Sequence, residues 1–366
     1  MEGKLLNKNF IALKMIDRFI SFIWTDRYSK CGDFDLRIPA SKENLETFIR
    51  DSYIDLIPDT GNEEHVMIIE DIELTTDLDE GDILIITGRS LESILDRRII
   101  WTQTHLDSTI EVGIKKLLGE NIINPEDASR KISNFVFKNS NDPRIEAIHI
   151  NAQFTGDNLY DAICSLCDSY GLGFKIELIN GNFVFSLYMG KDRSYDQTSN
   201  PYVAFGPEND NIINTRFIET GRALKTITLV LGEGEGANRK RATCEAEGGG
   251  KTGLDRKELY TDARDISMTT IEGAEIPEED YIKQLQQRGK EKLTEYQYEK
   301  AFEGEVDTTR MYLYGRDYFM GDITQIENEY GFDDRVRVVE YIMSKSKEGY
   351  SAYPSFEIVE NNEEGG

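Results

Sequence analysis

Between residues 20 and 90 apolar side chains recur at every second position in short runs. ISFIWTDRY at 20–28, DFDLRIP at 33–39, YIDLIP at 53–58, HVMIIEDIEL at 65–74 and DILIITGR at 82–89 all show this alternation. A period of two places successive side chains on opposite faces, the signature of a half-buried strand. Turn-forming stretches at 58–62 and 79–82 separate the later runs. Short strands at such spacing predict a small barrel or sandwich. SLESILDRR predicts a short helix from 90, with Ser90 as its cap.

The texture changes after 104. Residues 106–119 read as an amphipathic helix started by Asp107 or Ser108 and closed by Gly119, and 157–170 as a second helix stopped by Gly171. A strand-like EAIHINAQF lies between them. GFKIELINGNFVFSLYMG then carries Asn180-Gly181 between two alternating runs, which predicts a type I′ hairpin. From 200 the chain turns to strands again. RFIETGRALKTITLVLG reads as two strands, a Gly- and charge-rich stretch fills 232–253, and a helix opens at Pro277 and runs to 296. MYLYGRDYF, DITQIENEYGF and the long run from 334 to 360 close the chain as strands, and the final NNEEGG reads as frayed.

The predicted architecture is a β-rich α+β protein with two small β-barrel domains bracketing an α+β domain. The divisions are 1–103 for the first barrel and 104–195 for the α+β domain. Residues 196–235 with 300–366 make the second barrel, and 236–299 a loop-and-helix insertion.

Composition narrows the function. The chain of 366 residues carries 68 acidic against 42 basic side chains, a net charge of −26. That balance opposes retention of DNA and docking on an anionic membrane, both of which need clustered cations. Two readings of the charge stay open: solubility alone, or a surface past which nucleic acid moves without sticking. The four cysteines show no framework spacing, so a reducing compartment is expected. No apolar run approaches the ~20 residues of a membrane helix, and no signal peptide is visible.

The motifs that could carry chemistry fail in detail. GGGKTG at 248–253 fits the end of a phosphate-binding loop, but its first glycine would fall on Glu245, whose charge repels phosphate. GEGEG at 232–236 lacks the dinucleotide spacing and reads as a mobile loop between strands. Cys164 and Cys167 lack a second ligand pair and lie mid-helix, so they read as buried apolar cysteines and not as a zinc or redox site. His65, His105 and His149 stand apart, and no hydrolase motif is present. Trp24 and Trp101 sit in apolar strand contexts and are expected in the core. No cofactor, metal or catalytic residue is assigned.

A more specific pattern runs the length of the chain. WTDRYSKCGDFDLRIPAS at 24–41 is followed by ITGRSLESILDRRIIW at 86–101, VLGEGEGANR at 230–239, ELYTDARDI at 258–266 and DYFMGDITQIENEYGFDDRVRVVEY at 317–341. This order resembles the siphophage Gp37-like tail-protein family, the baseplate-hub module that also opens tail-associated lysins. The resemblance covers about 15–358. It implies a non-enzymatic trimeric hub whose paired barrels form a pseudo-sixfold ring against a hexameric tail-tube or distal-tail ring. It also implies contact with a tape-measure protein and a tip fibre or spike, DNA only in passage, and no membrane insertion by this chain. Synthesis in the bacterial host cytoplasm and a place at the virion tail tip follow. Lysins continue into a peptidase or fibre region where this sequence ends, so lytic or receptor-binding activity is expected on a separate chain. The alternatives are a tail-associated cell-wall hydrolase, which needs an active-site constellation, and a host-surface carbohydrate-binding protein, which needs an exposed aromatic cluster. Gly232, Gly234, Gly236, Arg239, Lys240 and Arg241, together with the acidic helix from 277, are the candidates for contacts to partners.

Overall fold

The computed structural model describes residues 1–57, 65–77, 81–206, 209, 211–246, 248–297, 299–306, 312–328, 330 and 333–359. The turn at 58–62, residues 79 and 80 of the next turn, and the closing 361–366 lie outside them.

The alternating runs of the N-terminal part become Ser21–Arg27, Asp33–Pro39, Tyr53–Ile57, His65–Asp77 and Gly81–Ser90. Phe22, Trp24, Phe34, Leu36, Leu84 and Ile86 point from them into one core. Two further strands, Glu2–Leu6 and Ala12–Ile16, precede them.

These strands do not close on themselves. Among the described residues they join one open, thirteen-stranded sheet. From Ala12–Ile16 the pairing passes through Glu2–Leu6, Tyr53–Ile57, His65–Asp77, Gly81–Ser90, Asp33–Pro39 and Ser21–Arg27. It then crosses to Asp333–Ser346, Gly349–Ile358, Glu299–Val306 and Ile212–Thr220, with Ile323–Glu327 and Ala204–Phe205 branching from Asp333–Ser346. The joint is the antiparallel register Glu340↔Arg27 to Ser346↔Ser21. Arg27 braces it, donating from Nε to Glu340 at 2.6 Å and pairing with Asp33 through a second nitrogen. Two strand-rich ends therefore exist as expected, but they share one sheet and no closed barrel forms among the described residues.

The middle of the chain forms a second core. Phe135–Lys138, Asn182–Tyr188 and Gly173–Ile179 make a three-stranded sheet, on which Phe137, Phe185 and Phe174 stack with centroids 5.5 and 5.8 Å apart. Asn180 and Gly181 both have positive φ (50° and 77°), the type I′ geometry their sequence predicts. The helix Leu159–Ser169 is capped by Asn158, whose side chain accepts from the amides of Tyr160 and Asp161.

Two helix starts differ from expectation. Residues 106–109 belong to the strand Thr104–Thr109, paired with His149–Phe154, and the helix begins only at Ile110. Gly119 does not end that helix, which runs on as a π-helical turn, Gly119–Ile123. Leu91–Arg97 is a 3-10 helix, and Ser90 does not cap it: its hydroxyl accepts from Gly32 N instead, at 2.8 Å.

A third unit lies between Ile212–Thr220 and Glu299–Val306, which pair with each other in the large sheet. Ile227–Leu231 pairs with Arg241–Glu245 and Glu258–Asp262 in a separate sheet. The helix Glu278–Thr294 crosses one face of it. Gly289 permits this approach, since a Cβ there would fall 2.8 Å from that of Cys244. Pro277 sits at the N-cap. Residues 312–319 are not a strand; they form turns around the bridge Tyr314↔Tyr318, because their rings pack inward, with Tyr318 fully buried against Phe205.

Candidate assembly surface

One edge of the large sheet leaves apolar side chains exposed. Asn7 Oδ1 accepts from the amides of Asn9 and Ile11, closing a tight turn. Phe10, at φ 62°, wedges its ring against Tyr53 and Phe183. The turn presents Ala12–Ile16, which pairs on one side with Glu2–Leu6 and has no strand on the other among the described residues. Ile16 points into the core, while Leu13 and Met15 point the opposite way and are about half exposed (49% and 46%), beside Ile11 at 60%. An edge strand normally carries charges that discourage pairing; here the one charge, Lys14, is paired with Glu43 at 2.6 Å, and open backbone groups stand beside exposed Leu13, Met15 and the adjoining Ile11.

The residues singled out in 232–241 occupy the hairpin between Ile227–Leu231 and Arg241–Glu245. Gly232 N donates to Lys240 O at 2.8 Å and closes it. Gly232 is packed against the Tyr281 hydroxyl, which accepts from Glu233 N and donates to Ile266 O. Arg239 is an internal strut and not a surface contact. It is 7% exposed and donates to Gly232 O, Leu231 O, Tyr260 Oη and Asp262 Oδ1. Its hydrogen bond lowers the Asp262 carboxyl below the usual range. Lys240 is committed to Glu278 at 2.6 Å. Gly234, Gly236 and Arg241 are exposed. The helix from 278 packs most of its length inward, burying Tyr281, Gln284, Leu285, Gln287, Glu291 and Leu293. It leaves the acids of its first turn towards solvent.

The motif-like segments resolve as follows. Glu245 reaches the 248–253 loop, where its carboxylate accepts from Gly250 N at 2.7 Å. Cys164 and Cys167 are buried and form no disulfide, and burial pushes both thiols up. Cys31 is likewise pushed up to about 12. The three histidines sit in different strands, His65 against Asp26 at 3.1 Å and His105 near Gln284. Trp24 is fully buried, as expected. Trp101 is not in the core: it is 65% exposed, because Ile100 beside it takes the inward place.

An internal cavity of about 270 Å³ opens where the large sheet meets the three-stranded one, lined by Asp26, His65, Glu92, Lys175, Glu177 and Tyr314 among others. Within it His65 lies 3.1 Å from Asp26, and Lys175 pairs with Glu177 at 3.0 Å. Glu92 Oε1 accepts from Ile176 N at 2.6 Å, and burial raises its pKa. Among the described residues no group of side chains is arranged to hold a metal ion, and no helix is long and apolar enough to cross a membrane.

The same architecture recurs in solved structures. A tail protein from Neisseria meningitidis MC58 matches with a TM-score of 0.57 at 14% identity, over 97% of this chain and 95% of that one. The 43 kDa tail protein of prophage MuSo2 from Shewanella oneidensis matches with a TM-score of 0.57 at 14% identity, over 98% of each chain. Prophage tail protein gp18 from Listeria monocytogenes EGD-e matches with a TM-score of 0.55 at 15% identity, over 99% of this chain and 95% of that one. The fold is thus that of phage tail proteins. No curated protein matches in sequence. The model of the Siphovirus ReqiPepy6 Gp37-like protein family matches residues 2–352, and the chain belongs to that family.

Proposed function

We propose that the chain is a structural hub of a phage tail tip or baseplate. Three copies form a ring that joins the tail tube or distal tail protein to the tip and lines the path by which DNA leaves. The observation that carries this reading is the open sheet with its apolar edge at Ala12–Ile16. A heterologous contact that repeats around a cyclic axis covers such an edge in every copy. Each copy contributes an N-terminal and a C-terminal strand-rich half, so three copies present six similar faces, and barrel closure belongs to the ring and not to the single chain. The partners are a second and third copy, the distal tail or tail-tube protein, a tape-measure protein, and a tip fibre or spike. The net charge of −26 suits a passage in which DNA phosphates are repelled from the wall.

The test is mass in solution across a concentration series, by light scattering or native mass spectrometry. The wild-type chain should be a trimer, and Leu13→Glu/Met15→Glu a monomer with unchanged circular dichroism. A wild-type monomer at every concentration, both alone and mixed with its distal tail protein, overturns the proposal. A solved ring with a basic lumen removes the part concerning DNA.

A further inference from the structure

On this acidic molecule one surface is cationic by construction. Past the 3-10 helix Leu91–Arg97 the chain runs through Arg98, Ile99 and Trp101, and Ile99 and Trp101 are 44% and 65% exposed. Arg130 lays its guanidinium over the Trp101 ring, 5.0 Å from the centroid. It is held there by Ile99 O at 2.7 Å and Asn121 Oδ1 at 3.1 Å. Arg98 in turn donates from Nε and a terminal nitrogen to Arg130 O, at 3.1 and 2.9 Å, and from the other to Arg97 O.

Both guanidinium groups are thus fixed by carbonyl oxygens, and among the described residues neither is hydrogen-bonded to a carboxylate, although the charge of Arg130 acts on Asp127. Arg97 is answered by Asp51 at 3.1 Å, and Asp127, close in sequence to Arg130, spends its side chain on Ser129 N. Burial, then the charges of Arg130 and Arg97, hold the Arg98 pKa below its ordinary value, so the cluster repels itself when nothing covers it.

The keystone is Asn121, 2% exposed, which also accepts from Trp101 N at 3.2 Å and anchors through Nδ2 to Leu117 O. Its place in the π-helical turn Gly119–Ile123 turns its side chain under the platform, and such turns recur at functional sites.

We propose that Arg98, Arg130, Ile99 and Trp101 form a docking surface for a short acidic segment of another protein chain, one that carries an apolar side chain beside its carboxylates. Arg130, engaged through one terminal nitrogen alone, keeps the rest of its fork for a carboxylate in two-pronged geometry, and Arg98 adds its charge. Trp and Arg dominate the centres of protein interfaces. A segment with a few carboxylates and an apolar anchor answers both halves of the patch. A long polyanion does not, because beyond these cations it meets the field of a chain carrying −26. The proposal stands independently of the ring, since it uses neither the sheet edge nor self-association.

Trp101 supplies the assay. Trp24 is already buried, so a blue shift on titration reports Trp101. The probes are a capped peptide alternating Glu with Leu, the same peptide with Gln for Glu, and a poly(glycerol phosphate) oligomer. The acidic peptide should shift the emission, weaken as salt rises, and bind at least roughly ten-fold less tightly to Arg98→Gln/Arg130→Gln. The Gln peptide should not bind. Arg130→Lys, which keeps the charge and loses the fork, should fall between. Circular dichroism confirms that each variant is folded, and if the double variant is not, Arg130→Lys decides. No shift with the acidic peptide, equal binding of the Gln peptide, or binding unchanged in the variants overturns the proposal. Tighter binding of the glycerol phosphate oligomer overturns it in favour of a cell-surface polymer.

Discussion

Replacing Asp322 by Asn should be among the most damaging single-atom changes in this chain. Asp322 is 2% exposed and accepts three hydrogen bonds: Lys191 N and Arg193 Nε, each at 2.6 Å, and Phe319 N at 3.1 Å. Its partner Arg193 is itself 6% exposed. The pair ties the 190s segment to the strand Ile323–Glu327, alongside the backbone bonds Arg193 N to Ile323 O and Ile323 N to Lys191 O. Asn keeps the shape but places an amide donor against a donor and takes from Arg193 the carboxylate it is hydrogen-bonded to, leaving only the field of Asp317. Breaking a buried pair from one side costs roughly 3–5 kcal/mol. Arg193→Met is gentler, because the carboxylate keeps two backbone donors; about 1–3 kcal/mol is expected. The double variant should then cost less than the sum, since no charge is left stranded. Urea unfolding followed by Trp24 fluorescence measures all three, because Trp24 shares the core with Tyr318 and Ile326. If Asp322→Asn costs less than about 1 kcal/mol, or if the two single changes simply add, the pair is not the clamp described.

Glu291 gives a pH signature. Burial pushes its carboxyl from an ordinary 4.5 up to about 7, opposed by Arg288. The folded state then holds a proton that the unfolded state releases, so this contribution to stability is full below about 4.5 and is lost as pH rises to about 7. Melting temperatures from pH 4.5 to 8 should fall less steeply for Glu291→Gln than for wild type, and equal slopes reject the assignment. Gly88→Ala would place a Cβ 1.8 Å from Ile68 O, between two paired strands. Soluble yield should collapse, and a well-folded variant would mean that the strands separate more readily than described. Trp24→Ala should cost roughly 3–5 kcal/mol and Trp101→Ala less than about 0.5 kcal/mol, read from urea midpoints. Comparable losses would put Trp101 back in the core.

What could be read from the chain follows the range of the interactions. Asp33–Pro39 was legible to the residue, since alternation is local, as was the Asn180-Gly181 turn. Ala12–Ile16 was not: its outward residues, Leu13 and Met15, are apolar, so the strand lacks the polar-out half of the pattern. Nor could alternation show which strands pair. Arg27 and Glu340 lie 313 positions apart, and nothing in either segment names the other. Ile227–Leu231 reads correctly as a strand, while its neighbour Arg241–Glu245 is hidden in the Gly-rich stretch 232–253. Arg239 reads as surface because a charged side chain normally is; its four acceptors come from two segments, 231–232 and 260–262, that only the fold brings together. Trp101 misled for the opposite reason, since its apolar neighbours carry the burial.

The joint between Ser21–Arg27 and Asp333–Ser346 also sets a clock on biosynthesis. A ribosome adds about 5–20 residues per second. The two sides of the joint, 313 positions apart at Arg27 and Glu340, therefore emerge roughly 15–60 s apart. During that interval the N-terminal strands can pair among themselves, but Ser21–Arg27 stays bare along one side. A nascent chain in this condition competes with its neighbours on the same messenger for strand partners, so sparser loading of ribosomes should favour the native sheet, while slower elongation lengthens the exposed interval.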